Sequence, residues 1–203
     1  RAQILYYLAE NLDKRSSEFI ENIILSTGVK KEVAQKEVET SISRLFYYAA
    51  WADKFDGAVH DVPIRGVTLA MNEPLGVVGV ICPEENPLLG LVSLAAPLIA
   101  MGNTCVLIPS ASSPNIAANF YQVLDTSDVP AGVLNIITGE EEAFVKTLSE
   151  HHDIAAIWYF GAGNNSGEIE RFSTASLKRT WVNNNKTRDW HCNGQGKEFL
   201  NNA

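Results

Sequence analysis

Apolar positions in the first quarter of the chain recur every three or four residues. Ile4, Leu5, Leu8 and Leu12 form one such row, and Phe19, Ile20, Ile23 and Ile24 continue it. That spacing places them on one face of a helix. Gly28 supplies a stop, because a left-handed closing residue costs glycine little. Val33, Val38, Ile42, Leu45 and Ala49 define a second helical face that runs to Trp51-Ala52. The aromatic group Phe46, Tyr47, Tyr48 and Trp51 lies within this second helix and reads as core and interface. Two helices are therefore expected over residues 1–55. Asp56-Gly57, Pro63 and Gly66 then punctuate two short extended stretches, which predicts a β-hairpin or ribbon over 56–73.

From Pro74 the pattern changes. Val77 to Ile81, Cys105 to Ile108, Val133 to Ile137, Ile154 to Phe160 and Thr180 to Val182 are short, β-branched or apolar runs. Continuous apolarity of this kind marks strands buried on both faces. Between them lie helical stretches at Leu88 to Ala100, Pro114 to Leu124, Glu141 to Leu148 and Glu168 to Thr174. Ser112 or Ser113 precedes Pro114 as a helix-starting residue. Glu141 and Glu142 give their helix an acidic first turn, which favours its dipole. The alternation predicts right-handed βαβ crossovers. The fold expected is α/β: a doubly wound, parallel, five-stranded Rossmann-like sheet over 74–183, preceded by two helices and a β-hairpin. Residues 184–203 lose the rhythm and read as a polar tail, frayed or leading into a further part. The whole chain reads as one such unit.

Composition narrows the function. The 203 residues are 46% hydrophobic and 20% charged, enough for a sizeable core, with a formal net charge of −8. That balance argues against nucleic acid and anionic membrane partners, both of which select basic surfaces. The longest apolar run, Leu88 to Met101, is broken by Gly90 and Pro97 and is too short to cross a bilayer. Arg1 opens directly into a helical pattern with no leader, so the chain reads as a piece of a longer, cytoplasmic protein. Cys82, Cys105 and Cys192 are an odd, widely spaced set, and the first two read as buried reduced thiols.

In an open parallel sheet, ligands bind outside the carboxyl ends of the strands. The last strand ends in Asn183-Asn184-Asn185, amides with no acid, base or nucleophile among them. Several further stretches explain this by resemblance. Glu73-Pro74-Leu75-Gly76-Val77-Val78-Gly79-Val80-Ile81, Pro83, Gly102-Asn103-Thr104, Leu107-x-Pro109-Ser110, Val129-Pro130-Ala131-Gly132-Val133-Leu134-Asn135 and Leu177-Lys178-Arg179 are similar, in order and spacing, to the cofactor domain of aldehyde dehydrogenases. The similarity runs from about Arg1 to Asn183. It implies a parent chemistry in which a cysteine thiolate attacks an aldehyde, hydride passes to NAD or NADP, and a glutamate activates water. A side-chain amide steadies the oxyanion.

Carried onto this sequence, those roles meet changed residues. The family's Pro-Trp-Asn-Phe-Pro stretch appears as Pro83 to Pro87, so Glu85 stands where the amide donor is expected. Asn86 is one place along, but on a strand-to-helix turn one residue rotates the side chain well away from that role. Ile108 and Ala111 replace the two charged residues that the resemblance assigns to the cofactor's ribose. Ala162 replaces a serine that touches the pyrophosphate. Asn183 falls at the position of the glutamate base. Gly161, Gly163 and Gly167 superficially resemble a dinucleotide loop, with one residue too many in the last interval. Cys192 beside His191 invites a nucleophile reading, but adjacent side chains on an extended segment point apart.

The pattern resembles most the shortened, degenerate C-terminal copy of family 16 aldehyde dehydrogenases. The expectation is therefore a non-catalytic pseudoenzyme domain that binds no cofactor and serves structure or protein interaction. Its partners would be another domain of the same chain and a second subunit, met through the 56–73 ribbon. The alternatives are the cofactor-binding portion of a divergent NAD(P)-dependent aldehyde dehydrogenase, and a nucleotide-binding module without turnover.

Overall fold

The computed structural model describes residues 1–203. Three helices open the chain: α1 (Ala2–Lys14), α2 (Ser16–Thr27) and α3 (Lys31–Trp51). Leu5, Leu8 and Leu12 of α1 and Phe19 and Ile23 of α2 are buried on one side, as their spacing requires. Two helices were expected where three occur. Arg15 takes φ −104° and ψ 13°, and its N–H turns back to the Leu12 carbonyl at 3.2 Å. The apolar row stays in register across this break, so periodicity alone does not reveal it. Gly28 closes α2 in the left-handed region at φ 71°.

Strands β1 (Ala58–His60) and β2 (Thr68–Ala70) pair antiparallel as a ribbon, Ala58 opposite Ala70, and every residue in them is exposed. Gly57 is required at its base, because a Cβ there would overlap the Ala70 carbonyl.

The α/β core then follows as β3 (Val77–Ile81), α4 (Pro87–Met101), β4 (Thr104–Ile108), α5 (Pro114–Asp125), β5 (Leu134–Ile136), α6 (Glu141–Glu150), β6 (Ile154–Tyr159), α7 (Ser166–Ser173) and β7 (Arg179–Val182). The five strands form one parallel sheet in the order β5-β4-β3-β6-β7. Alternate strand residues face opposite sides. Val78, Val80, Cys105, Leu107, Ala156 and Trp158 join the larger core with α1 to α5. Ile81, Ile108, Ile157 and Tyr159 face α6 and α7, against Val145, Leu148 and Ile169. The doubly wound sheet is thus as expected, and Cys82 and Cys105 are buried and unpaired.

Residues 184–203 depart from the expected polar tail. They form α8 (Trp190–Asn193) and α9 (Lys197–Asn202), with Trp190, Phe199 and Leu200 buried in the larger core. Trp181 meets Trp158 edge-on at 4.8 Å and Phe199 at 5.0 Å, and Trp190 meets Phe160 at 5.4 Å. The Arg188 guanidinium covers the rings of Phe160, Trp181 and Phe199. A few large aromatic residues scattered among polar ones carry the docking, too sparsely for a periodic signal. No helix is long and apolar enough to cross a membrane.

Candidate functional site

Strand order reverses between β3 and β6. From β3 the chain moves to β4 and β5 on one side, then returns to β6 and β7 on the other. Such a switch point opens a crevice at the carboxyl ends of the strands. Four loops border it: Cys82–Asn86 after β3, Pro109–Ser113 after β4, Phe160–Asn165 after β6 and Asn183–Arg188 after β7.

Two carboxylates organise the first three loops. Glu84 accepts from Ser110 Oγ at 2.7 Å, Ser112 Oγ at 2.7 Å, Ala111 N at 2.9 Å and Ser112 N at 3.2 Å. Burial pushes its pKa up, but these four hydrogen bonds outweigh burial and hold it below the usual carboxylate range. Glu141, at the start of α6, reaches the loop after β6. Its Oε1 accepts from Asn165 Nδ2 at 2.7 Å and Gly163 N at 3.1 Å. The Tyr159 hydroxyl lies between that oxygen, at 2.8 Å, and the Gly163 carbonyl, at 2.5 Å. Burial, then the bond to Glu141 and its charge, push the Tyr159 pKa up, so the phenol stays protonated. The Glu141 carboxylate occupies the space beside Gly161 and Gly163, where an added Cβ would make it shift.

The positions singled out by resemblance are placed as follows. Glu85 is exposed at the mouth of a cleft of about 250 Å³, shared with Phe160, Gly161, Ala162, Asn183 and Arg188. Asn183 donates from Nδ2 to the Gly161 carbonyl at 2.9 Å, and its Oδ1 accepts from Asn185 N at 3.1 Å and Ser166 Oγ at 3.3 Å. Its amide ties the ends of β6 and β7 together. Ala162 is exposed in the glycine loop, and Ala111 offers its N–H to Glu84. Ile108 is buried against α6 and α7 and does not reach the crevice. Asn86 sits in the left-handed region at φ 50° before α4, with no side-chain capping bond.

Cys192 lies on α8. Hydrogen bonding to Asp189 and its charge raise the thiol's pKa, which leaves a poor nucleophile. The neighbouring His191 ring lies 3.3 Å from Thr40 Oγ1 on α3 rather than against the thiol. Sequence reasoning missed Glu84, Glu141 and Tyr159 as site residues. The acidic first turn at Glu141 was the one visible signal, and it read as dipole support.

Residues 1–184 match the aldehyde dehydrogenase family, and the chain belongs to it. It is 33% identical over 167 residues to cytosolic 10-formyltetrahydrofolate dehydrogenase from Mus musculus, covering 80% of this chain and 18% of that protein. It is 33% identical over 171 residues to hydroxyisobutyraldehyde dehydrogenase from Mycolicibacterium austroafricanum, covering 84% of this chain and 34% of that one. The structure of PnpE from Pseudomonas sp. WBC-3 matches with a TM-score of 0.86 and 27% identity, over 90% of this chain and 38% of that one. PnpE has also been solved in complex with nicotinamide adenine dinucleotide. The chain thus spans only about a fifth to two fifths of the length of these relatives.

These matches overturn the expectation of a degenerate pseudoenzyme. The relatives are named as dehydrogenases, and this chain corresponds to a fragment of the family's fold. A nucleophile missing from a fragment is not a nucleophile lost from the protein. The changes at Glu85 and Asn183 are differences from the pattern that the resemblance implied; they do not mark an emptied enzyme.

Proposed function

We propose that this chain is the dinucleotide-binding portion of an NAD(P)-dependent aldehyde dehydrogenase. The observation that carries the reading is the loop after β6: Gly163 N–H, Asn165 Nδ2 and the Tyr159 hydroxyl converge on one carboxylate oxygen, in the space beside Gly161 and Gly163. A loop that holds a carboxylate in this way has the donors to hold a phosphate oxygen. It stands at the switch point of a doubly wound sheet, where a dinucleotide is expected. Bound there, the cofactor would take up the hydride released when an aldehyde is oxidised.

The chain's own share is binding and positioning. The loop after β6 would face the phosphates, with Ser110 and Ser112 bordering the crevice beside it. Asn183 fixes the distance between the loops after β6 and β7 through its bond to Gly161. With Ile108, Ala111 and Ala162 in place of charged or hydroxyl side chains, the hold is weaker than the family's pattern implies. We assign no nucleophile or base to this chain. Calorimetric titration with NAD and NADP tests the reading. Saturable heat with a dissociation constant in the micromolar to millimolar range supports it, and absence of heat up to several millimolar refutes it.

The ribbon supports a role in assembly. Val59, Val67, Leu69 and Met71 are each more than half exposed on it. We read it as the contact with another domain or a second subunit, and three unpaired thiols favour the cytoplasm. Light scattering of the chain beside a Val59→Lys/Leu69→Lys variant tests the contact: association lost in the variant supports it, and identical masses that exceed the monomer's refute it.

A further inference from the structure

We infer that Glu141 is an internal occupant of the anion-binding loop after β6, and that by competing for its donors it sets the affinity of the crevice for a nucleotide's phosphates. The inference rests on the dinucleotide reading above and deepens it.

Glu141 is held as a ligand would be. It comes from another element, the first turn of α6, and is half-buried, whereas its neighbours Glu140 and Glu142 are exposed. Its Oε1 takes a backbone N–H, a side-chain amide and a share of a phenol proton, all from the stretch Tyr159–Asn165. Its carboxylate fills the space that the missing side chains of Gly161 and Gly163 leave. No cation pairs with it. The loop therefore receives a full negative charge from within the chain, in the one place where its donors converge.

Two anions cannot share those donors. A phosphate entering the loop must displace the carboxylate, and the displaced carboxylate stays nearby, since α6 fixes its backbone. Glu84 strengthens the effect, because it holds the adjoining loop after β4 with a second carboxylate on the same side of the crevice. Removing the Glu141 charge frees the donors and lifts the repulsion together. The ligand class is a phosphate or pyrophosphate ester, and the residue acts as a gate on affinity rather than in chemistry.

The test is calorimetric titration of the full 203-residue chain and its Glu141→Ala and Glu141→Gln variants with NAD and, separately, with inorganic pyrophosphate. The expected result is at least tenfold tighter binding of both by Glu141→Ala, and a smaller gain for Glu141→Gln, which keeps an acceptor oxygen but not the charge. Glu141→Gln carries the test if Glu141→Ala fails to fold as judged by circular dichroism. Equal or weaker binding in the folded variants overturns the inference while leaving the dinucleotide reading intact. Tighter pyrophosphate binding without any binding of NAD upholds the gate and refutes the dinucleotide reading. No binding of either probe by any form overturns both.

Discussion

Arg44 Nη1 donates to the Trp190 carbonyl oxygen at 2.8 Å and to Ser93 Oγ at 2.5 Å, so one buried guanidinium joins α3, α4 and α8. No carboxylate pairs with it, and burial lowers its pKa. A buried cation with only neutral partners is held by geometry against its own desolvation. It pins to the body of the domain a segment that lies outside the family match.

Arg44→Ala should therefore destabilise the chain by about 3 kcal/mol, since it leaves a cavity and the Trp190 carbonyl without its donor. Arg44→Met fills the cavity and removes the desolvation cost, so its loss should be smaller. Urea denaturation of both variants checks the order. Limited proteolysis after Lys186 and Arg188 should accelerate in Arg44→Ala first.

Phe199 is fully buried among Trp158 and Trp181. Phe199→Ala should cost about 3–5 kcal/mol, the range for an aromatic side chain removed from a core. Near-ultraviolet circular dichroism should lose intensity with it, because three tryptophans lie in or beside this cluster. A loss under 1 kcal/mol would mean that the docked tail contributes little to the fold.

Glu84 makes acid stability legible. Its folded pKa is depressed by the four donors of the loop after β4. Its contribution is present above the unfolded carboxylate pKa of about 4.3 and is lost as pH falls through the folded value. Wild-type stability should therefore decline below about pH 4, and Glu84→Gln should decline less steeply. At pH 7, Glu84→Ala should be less stable by about 1–3 kcal/mol. Thermal unfolding across pH 3 to 8 measures both effects.

The three thiols should divide by reactivity. Burial pushes the Cys105 thiol up to about 12 and Cys82 further, so neither should label in the folded chain. Cys192 is exposed, but Asp189 raises its pKa. One thiol should react with a disulfide reagent, slowly at pH 7 and faster as pH rises, and Asp189→Asn should speed it. Rapid labelling at neutral pH would contradict this account of Cys192.

The sequence by itself determined the strands from Val77 to Val182, the helices between them, the two-faced burial of the sheet, the ribbon and the family. Each is written in residues close together along the chain: alternation, three-to-four spacing, a glycine or proline at a turn. Only the tertiary structure decided the rest. Arg15 breaks a helix whose apolar row runs on unchanged, and Trp190 and Phe199 find their cluster through contacts with Phe160, Trp158 and Trp181 that no local pattern encodes. Glu141 showed only as an acidic helix start, because its partners Tyr159, Gly163 and Asn165 lie some twenty residues away. Periodicity reports what one element buries; a site is made where the ends of several elements meet, and that meeting is set by how the sheet winds.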